Sequence, residues 1–163
     1  MANTQSMCTS FLGELMLGQH QFGTSTIVSR TSLTSPTTDT VKAALYLASA
    51  TYNASTTAYS ATGEVSGTGY TAGGVTVTNA TAPTSTNAST TAGVGYWTPS
   101  ASIVYTTVTL TTAFDTVLIY NSTQSNKAVS VHTFGSQTIT AGTFTLTMPS
   151  NTTSTALIRL STT

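Results

Sequence analysis

Thr143-Phe144-Thr145-Leu146-Thr147-Met148 alternates threonine with an apolar residue over six positions. Period two is the spacing of a strand, so Phe144, Leu146 and Met148 are expected to face a core while the three threonines face away. Runs of the same kind extend outward from it at intervals of roughly ten residues. Ile103–Leu110, Thr116–Tyr120, Ala128–Phe134 and Ala156–Leu160 read as strands. Thr116–Tyr120 is nearly all apolar and is expected at the centre of a sheet. Upstream, Val41–Leu47 reads as a buried first strand, and Val75 and Val77 alternate with Thr76 and Thr78. Residues 50–74 carry five glycines and read as rigid irregular structure. Residues 79–93, with Pro83, read as an exposed loop. Short strands separated by turn signals predict an all-β fold, an antiparallel β-sandwich or jelly-roll-like domain.

The first 39 residues differ. Ser10 is placed to cap a short helix over Phe11–Leu17, with Gly18 as its stop. Phe11 and Leu15 share one face of that helix, and Leu12 and Met16 share another. So short a helix is unstable alone and must dock on its own sandwich or on a neighbouring subunit. Residues 24–39, rich in Ser and Thr with Pro36, read as a loop or extended arm. The predicted organisation is an N-terminal arm with a short helix over 1–39 and a β-sandwich body over 40–163, the body folding without residues 1–23. Residues 11–17 do not read as a secretion signal, because Glu14 interrupts the run and no basic region precedes it.

Only 5% of the chain is charged, four Lys and Arg against four Asp and Glu. An ordinary domain has ~25%. Threonine and serine, roughly four residues in ten, take the place of the missing charge and favour strands. This composition offers no basic patch for nucleic acid and no polybasic face for a membrane. No segment approaches the ~20 apolar residues of a spanning helix. Chemistry has little to work with. Glu14, Asp39, Glu64 and Asp115 fall in separate segments, and His20 and His132 are far apart with no Cys or Asp pattern beside them. Thr68-Gly69-Tyr70-Thr71-Ala72-Gly73-Gly74 lacks the lysine and following helix of a phosphate loop. No catalytic residue, cofactor or metal is predicted, and the reading is non-enzymatic. Cys8 reads as a small apolar residue. The Asn-x-Ser/Thr sites at Asn53, Asn79, Asn87, Asn121 and Asn151 read as turn asparagines. His132 reads as a histidine hydrogen-bonded at a sheet surface. Lys42 and Arg159 lie inside apolar strands and are expected to point outward or to meet a carboxylate, Glu64 being the candidate.

The residues expected to touch partners are Phe11, Leu15 and Phe22 of the N-terminal segment, and Tyr96 and Trp97, the largest exposed-looking aromatic pair. Core packing is the default reading for Trp97, and a partner hot spot or a sugar platform is the sharper one.

Several segments carry a family resemblance. Lys42-Ala43-Ala44-Leu45-Tyr46, Thr57-Ala58-Tyr59 and Gly63 through Gly74 resemble a small family of tailed-bacteriophage virion proteins. So do Val117-Leu118-Ile119-Tyr120-Asn121, Lys127-Ala128-Val129, Phe134-Gly135, Gly142-Thr143-Phe144-Thr145, Pro149 and Ala156-Leu157-Ile158-Arg159-Leu160. Met7-Cys8-Thr9-Ser10-Phe11, Glu14-Leu15 and His20 also resemble it, and 79–100 is the poorest stretch. The resemblance implies a structural particle component without catalytic residues. The leading expectation is a capsid decoration (cement) protein on the outer capsid surface of the virion, made in the bacterial host cytoplasm. Its expected partners are the major capsid protein and copies of itself as a homo-oligomer, with no nucleic acid and no membrane. A tail, fibre or adaptor component and a carbohydrate-binding adhesin module are the alternatives.

Overall fold

A computed structural model describes residues 3–16, 18–23, 38–79, 82–86 and 93–162. The described chain is mostly strand, with one short helix, and forms two antiparallel sheets in an all-β sandwich. In chain order the elements are β1 (Ser6–Met7), α1 (Thr9–Met16), β2 (Val41–Leu47), β3 (Val75–Thr76), β4 (Thr84–Ser85), β5 (Val94–Trp97), β6 (Ile103–Asn121), β7 (Lys127–Leu146) and β8 (Ile158–Ser161). The larger sheet runs β1-β7-β6-β2-β3 and the smaller β4-β5-β8.

The four short strands expected between residues 103 and 148 are in fact two long ones. β6 and β7 form one hairpin that pairs from Asn121↔Lys127 to Ile103↔Leu146. Residues 111–115 and 135–142 contain no proline, and the chain continues through them as strand. The imperfect pattern is absorbed by register shifts, with Thr107 (φ 53°) and Ala141 (φ 47°) in the left-handed region. Such bulges accommodate an unmatched residue without ending the ladder. The true reversal is at 122–126. Ser125 and Asn126 have positive φ there, and Asn121 Oδ1 accepts from the backbone N–H of Thr123 and Gln124 at 3.1 and 3.2 Å.

Val117–Tyr120 lies between β2 and β7, so the expectation of a central strand holds, and Phe114 and Leu118 are fully buried. Near the open end of the hairpin, Ile103–Thr106 and Thr143–Leu146 alternate between inward and exposed residues. Phe144 is buried and Leu146 half-buried, while Thr143 and Thr145 face solvent. Gly67 and Gly69 lie so close to the β6 carbonyls of Thr109 and Thr107 that any Cβ would collide with them. That close approach seats the glycine-rich segment on β6.

Residue 39 is not a packing boundary, a correction to the expected arm. β1 pairs with β7 (Ser6↔Val131, Met7↔Ser130), Thr4 N–H donates to Tyr52 C=O at 2.9 Å, and Thr9 N–H to Ala54 C=O at 2.9 Å. Cys8 and Phe11 are fully buried in the common core. The helix starts at Thr9, two residues earlier than expected, so Ser10 lies inside it and does not cap it, and Gly18 turns the chain as expected. Gly18, at φ 68°, donates to Leu15 C=O at 3.0 Å. Leu17 and the loop or arm expected over 24–37 lie outside the described residues, as do parts of the 79–93 loop. The described Thr84–Ser85 of that loop is exposed but pairs with β5.

Candidate functional site

The turn at Gly18 sends the chain back along α1, and Gln19 N–H donates to Glu14 C=O at 2.9 Å. His20 thereby returns to Glu14, with Nε2 2.8 Å from Oε2. The other Glu14 oxygen takes a 2.8 Å bond from Lys127 Nζ at the start of β7. Across the ring, Nδ1 of His20 lies 3.1 Å from Asn121 Nδ2, which also donates to Asp39 Oδ2 at 2.6 Å. The backbone N–H of Gln21 donates to that same Asp39 oxygen at 2.9 Å. Glu14, His20, Asp39 and Asn121 are all buried. One charged residue, Glu14, thus meets His20 directly, and Lys127 and Asp39 join the same network through Glu14 and Asn121, where the sequence places the carboxylates in separate segments. The available signal was local: a helix ending at Gly18 brings residue 20 back to residue 14.

Partner chemistry assigns the proton. A carboxylate only accepts, so His20 Nε2 carries hydrogen. Asn121 Oδ1 is occupied by two backbone N–H groups, so its amide presents nitrogen to His20 Nδ1, which must accept. Both nitrogens of the His20 ring are therefore engaged. Burial opposes the charge on Glu14, but bonds from Lys127 and His20 outweigh it and hold the carboxyl below its ordinary value. Cys8 sits nearby, fully buried, and burial together with the Glu14 charge pushes its thiol up to about 12. A thiol so protonated is a poor nucleophile.

Beside this network lies a groove of about 330 Å³, and all five residues expected to contact partners line it. Phe11 and Leu15 come from α1, Phe22 from the returning segment, and Tyr96 and Trp97 from β5. Phe22 packs on Trp97 with ring centroids 4.6 Å apart, and Phe11 meets Phe22 edge-on at 5.9 Å. His20 is held edge-on to Phe11 at 4.8 Å and parallel to Phe22 at 6.0 Å. The set divides by burial, and Trp97 takes the core packing that is its default reading. Trp97 is 2% exposed and Phe11 fully buried, so both act as groove floor and core, while Leu15 and Tyr96 are half-buried.

A second polar cluster surrounds Glu64, and of the two expected outcomes for Arg159 the structure shows the outward one. Glu64 accepts from Tyr59 OH, Tyr70 OH and Gly73 N–H, each at 2.7 Å. Arg159 is exposed and donates to Thr153 C=O at 2.7 Å. Burial first, then the charge of Glu64, raises Tyr105 and Tyr120, the latter to about 12. These phenols stay protonated and serve as hydrogen-bond donors. Asn53 forms the expected turn, its Oδ1 accepting from Ser55 N–H at 2.8 Å. His132 is half-buried on β7 and bonds Ser130 Oγ at 2.9 Å, as a sheet histidine should.

Among the described residues no group of three His, Cys, Asp or Glu side chains is placed to hold a metal ion. No protein-family model, curated protein or solved structure matches the chain.

Proposed function

We propose that this chain is a non-enzymatic structural component of a tailed-phage particle. Its proposed role is that of a capsid decoration protein that bridges capsomers on the outer surface. The observation that carries the reading is the face presented by the β6–β7 hairpin. Thr106, Thr107, Thr111, Thr112, Ser136, Thr138, Thr140 and Thr143 are all exposed there, and residues 128–158 contain no charged side chain. A hydroxyl face sheds water at little cost when the opposite surface supplies partners, whereas a charged face must leave bulk hydration. Such a surface suits permanent burial against another protein. The motif resemblance to phage virion proteins points the same way. Bridging would work by summing many identical modest contacts around a symmetric shell.

The test is the number of copies of this chain per major capsid subunit in purified particles, by quantitative mass spectrometry. A ratio near one, or a simple fraction of it, is expected. A few copies per hundred would move the protein to the tail, a fibre or an adaptor position, and complete absence would end the particle reading. The aromatic groove favours a second reading, a carbohydrate-binding module. Because Trp97 is buried, that reading depends on Tyr96. Glycan binding retained in Tyr96→Ala would remove it.

A further inference from the structure

The groove and the most exposed large apolar side chain among the described residues are neighbours on one helix. Leu15 lines the groove, and Met16, the next residue, is 86% exposed, against 43% for Leu12. Leu160 lines the groove from β8 and is 42% exposed. Methionine is the apolar side chain that best adapts to an irregular cavity. Among the described residues no Lys, Arg, Asp or Glu lines the groove, and His20 has both ring nitrogens bonded, so its floor of Phe11, Phe22 and Trp97 solicits an apolar guest. A knob beside a hole on one surface is the arrangement a two-fold interface requires, since residue i of each copy then meets residue j of the other. The zero net charge of the chain offers little repulsion between copies.

We infer that the groove is a self-association site, in which a second copy docks across a two-fold axis and Met16 of each copy enters the groove of the other. The inference deepens the particle reading by naming its copy-to-copy contact, yet it is measured without particles. Decorated particles with a monomeric protein would end this inference alone. A dimeric protein absent from particles would end the particle reading alone.

The experiment is sedimentation equilibrium of the full chain over a concentration series, with two variants. Met16→Lys charges the knob at an exposed position. Gly95→Ile fills the hole: a Cβ on Gly95 meets nothing nearer than Leu160 O at 3.9 Å, so the new side chain has room to enter the groove. The wild-type chain is expected to dimerise. Each variant is expected to weaken the dimer by on the order of tenfold or more, with the melting midpoint of its monomer unchanged. Mixing the two variants leaves one intact knob facing one intact hole, and partial recovery of dimer is expected. A wild-type monomer at every concentration overturns the inference, and so does association that Met16→Lys leaves intact. Loss of dimer in Met16→Lys with a folded, fully dimeric Gly95→Ile overturns the groove as receptor.

Discussion

Asn121 joins more of the molecule than any charged side chain among the described residues does. Its amide nitrogen serves Asp39 and His20, and its oxygen closes the hairpin turn. Asn121→Leu would leave a buried carboxylate and a buried imidazole nitrogen short of a donor. We expect a loss of about 3 kcal/mol, read from the urea midpoint. Two groups, half-buried His132 and buried Glu14, set the acid response. Burial holds His132 at about 4 in the fold against 6.5 when exposed. The unfolded chain therefore takes up that proton first, and stability falls between those two pH values, by ~3 kcal/mol at most. Glu14 acts further down. Its folded value lies below the ordinary 4.5, so its contribution is complete above that pH and is lost as pH falls through the lower folded value. Urea midpoints against pH should flatten above pH 4 in His132→Gln, and below it in Glu14→Gln. An unaltered slope in His132→Gln would assign the upper window to another group.

At the scale of elements, glycines of the same sheet have opposite roles. Gly74 sits at φ 69° with its α-carbon pressed against the backbone of Ala43, where a Cβ cannot fit. Gly135 is an exposed position of β7 with nothing within 4 Å of a built Cβ. Gly74→Ala should cost more than ~2 kcal/mol, combining positive-φ strain with displacement of β2. Gly135→Thr should gain about 0.5–1 kcal/mol by restricting the unfolded chain and suiting a strand. Paired thermal melts check both signs. The aromatic rings where Phe114, Phe134 and Phe144 meet explain why the hairpin does not break at residues 111–115. Their centroids lie 5.0–5.9 Å apart and tie β6 to β7 across the bulged region. Sequence spacing marked a strand end there, because a bulge and a turn disturb period two in the same way.

For the whole molecule, the N-terminal segment decides whether the body stands alone. Phe11 and Phe22 are core residues, and losing a buried phenylalanine costs about 3–5 kcal/mol. Two such losses rival the ~5–15 kcal/mol stability of an entire domain. Removal of residues 1–23 also strips β1 from the edge of β7 and leaves Lys127 without Glu14. The truncated chain is expected to lose its cooperative melt and its near-ultraviolet dichroism. A sharp melt within a few degrees of the full chain would restore the separable arm.

Fold class, the central position of Val117–Tyr120, the inward set of Phe144 and Leu146, and the stop at Gly18 were all legible in the sequence. Each depends on period or on φ, properties carried by a few consecutive residues. The gathering of Phe11, Leu15, Phe22, Tyr96 and Trp97 around one groove was not legible there, since it joins segments distant in sequence. Sequence could not say that Trp97 would be covered by Phe22 of the same chain, because that contact joins positions 75 residues apart. It could not place Asp39 beside His20 through Asn121, nor give Glu64 to two tyrosines instead of Lys42 or Arg159. Those partnerships follow from sheet register and from the chain's return after α1. Only the tertiary structure sets these, since a polar side chain takes whichever donor the packed backbone brings within 3 Å.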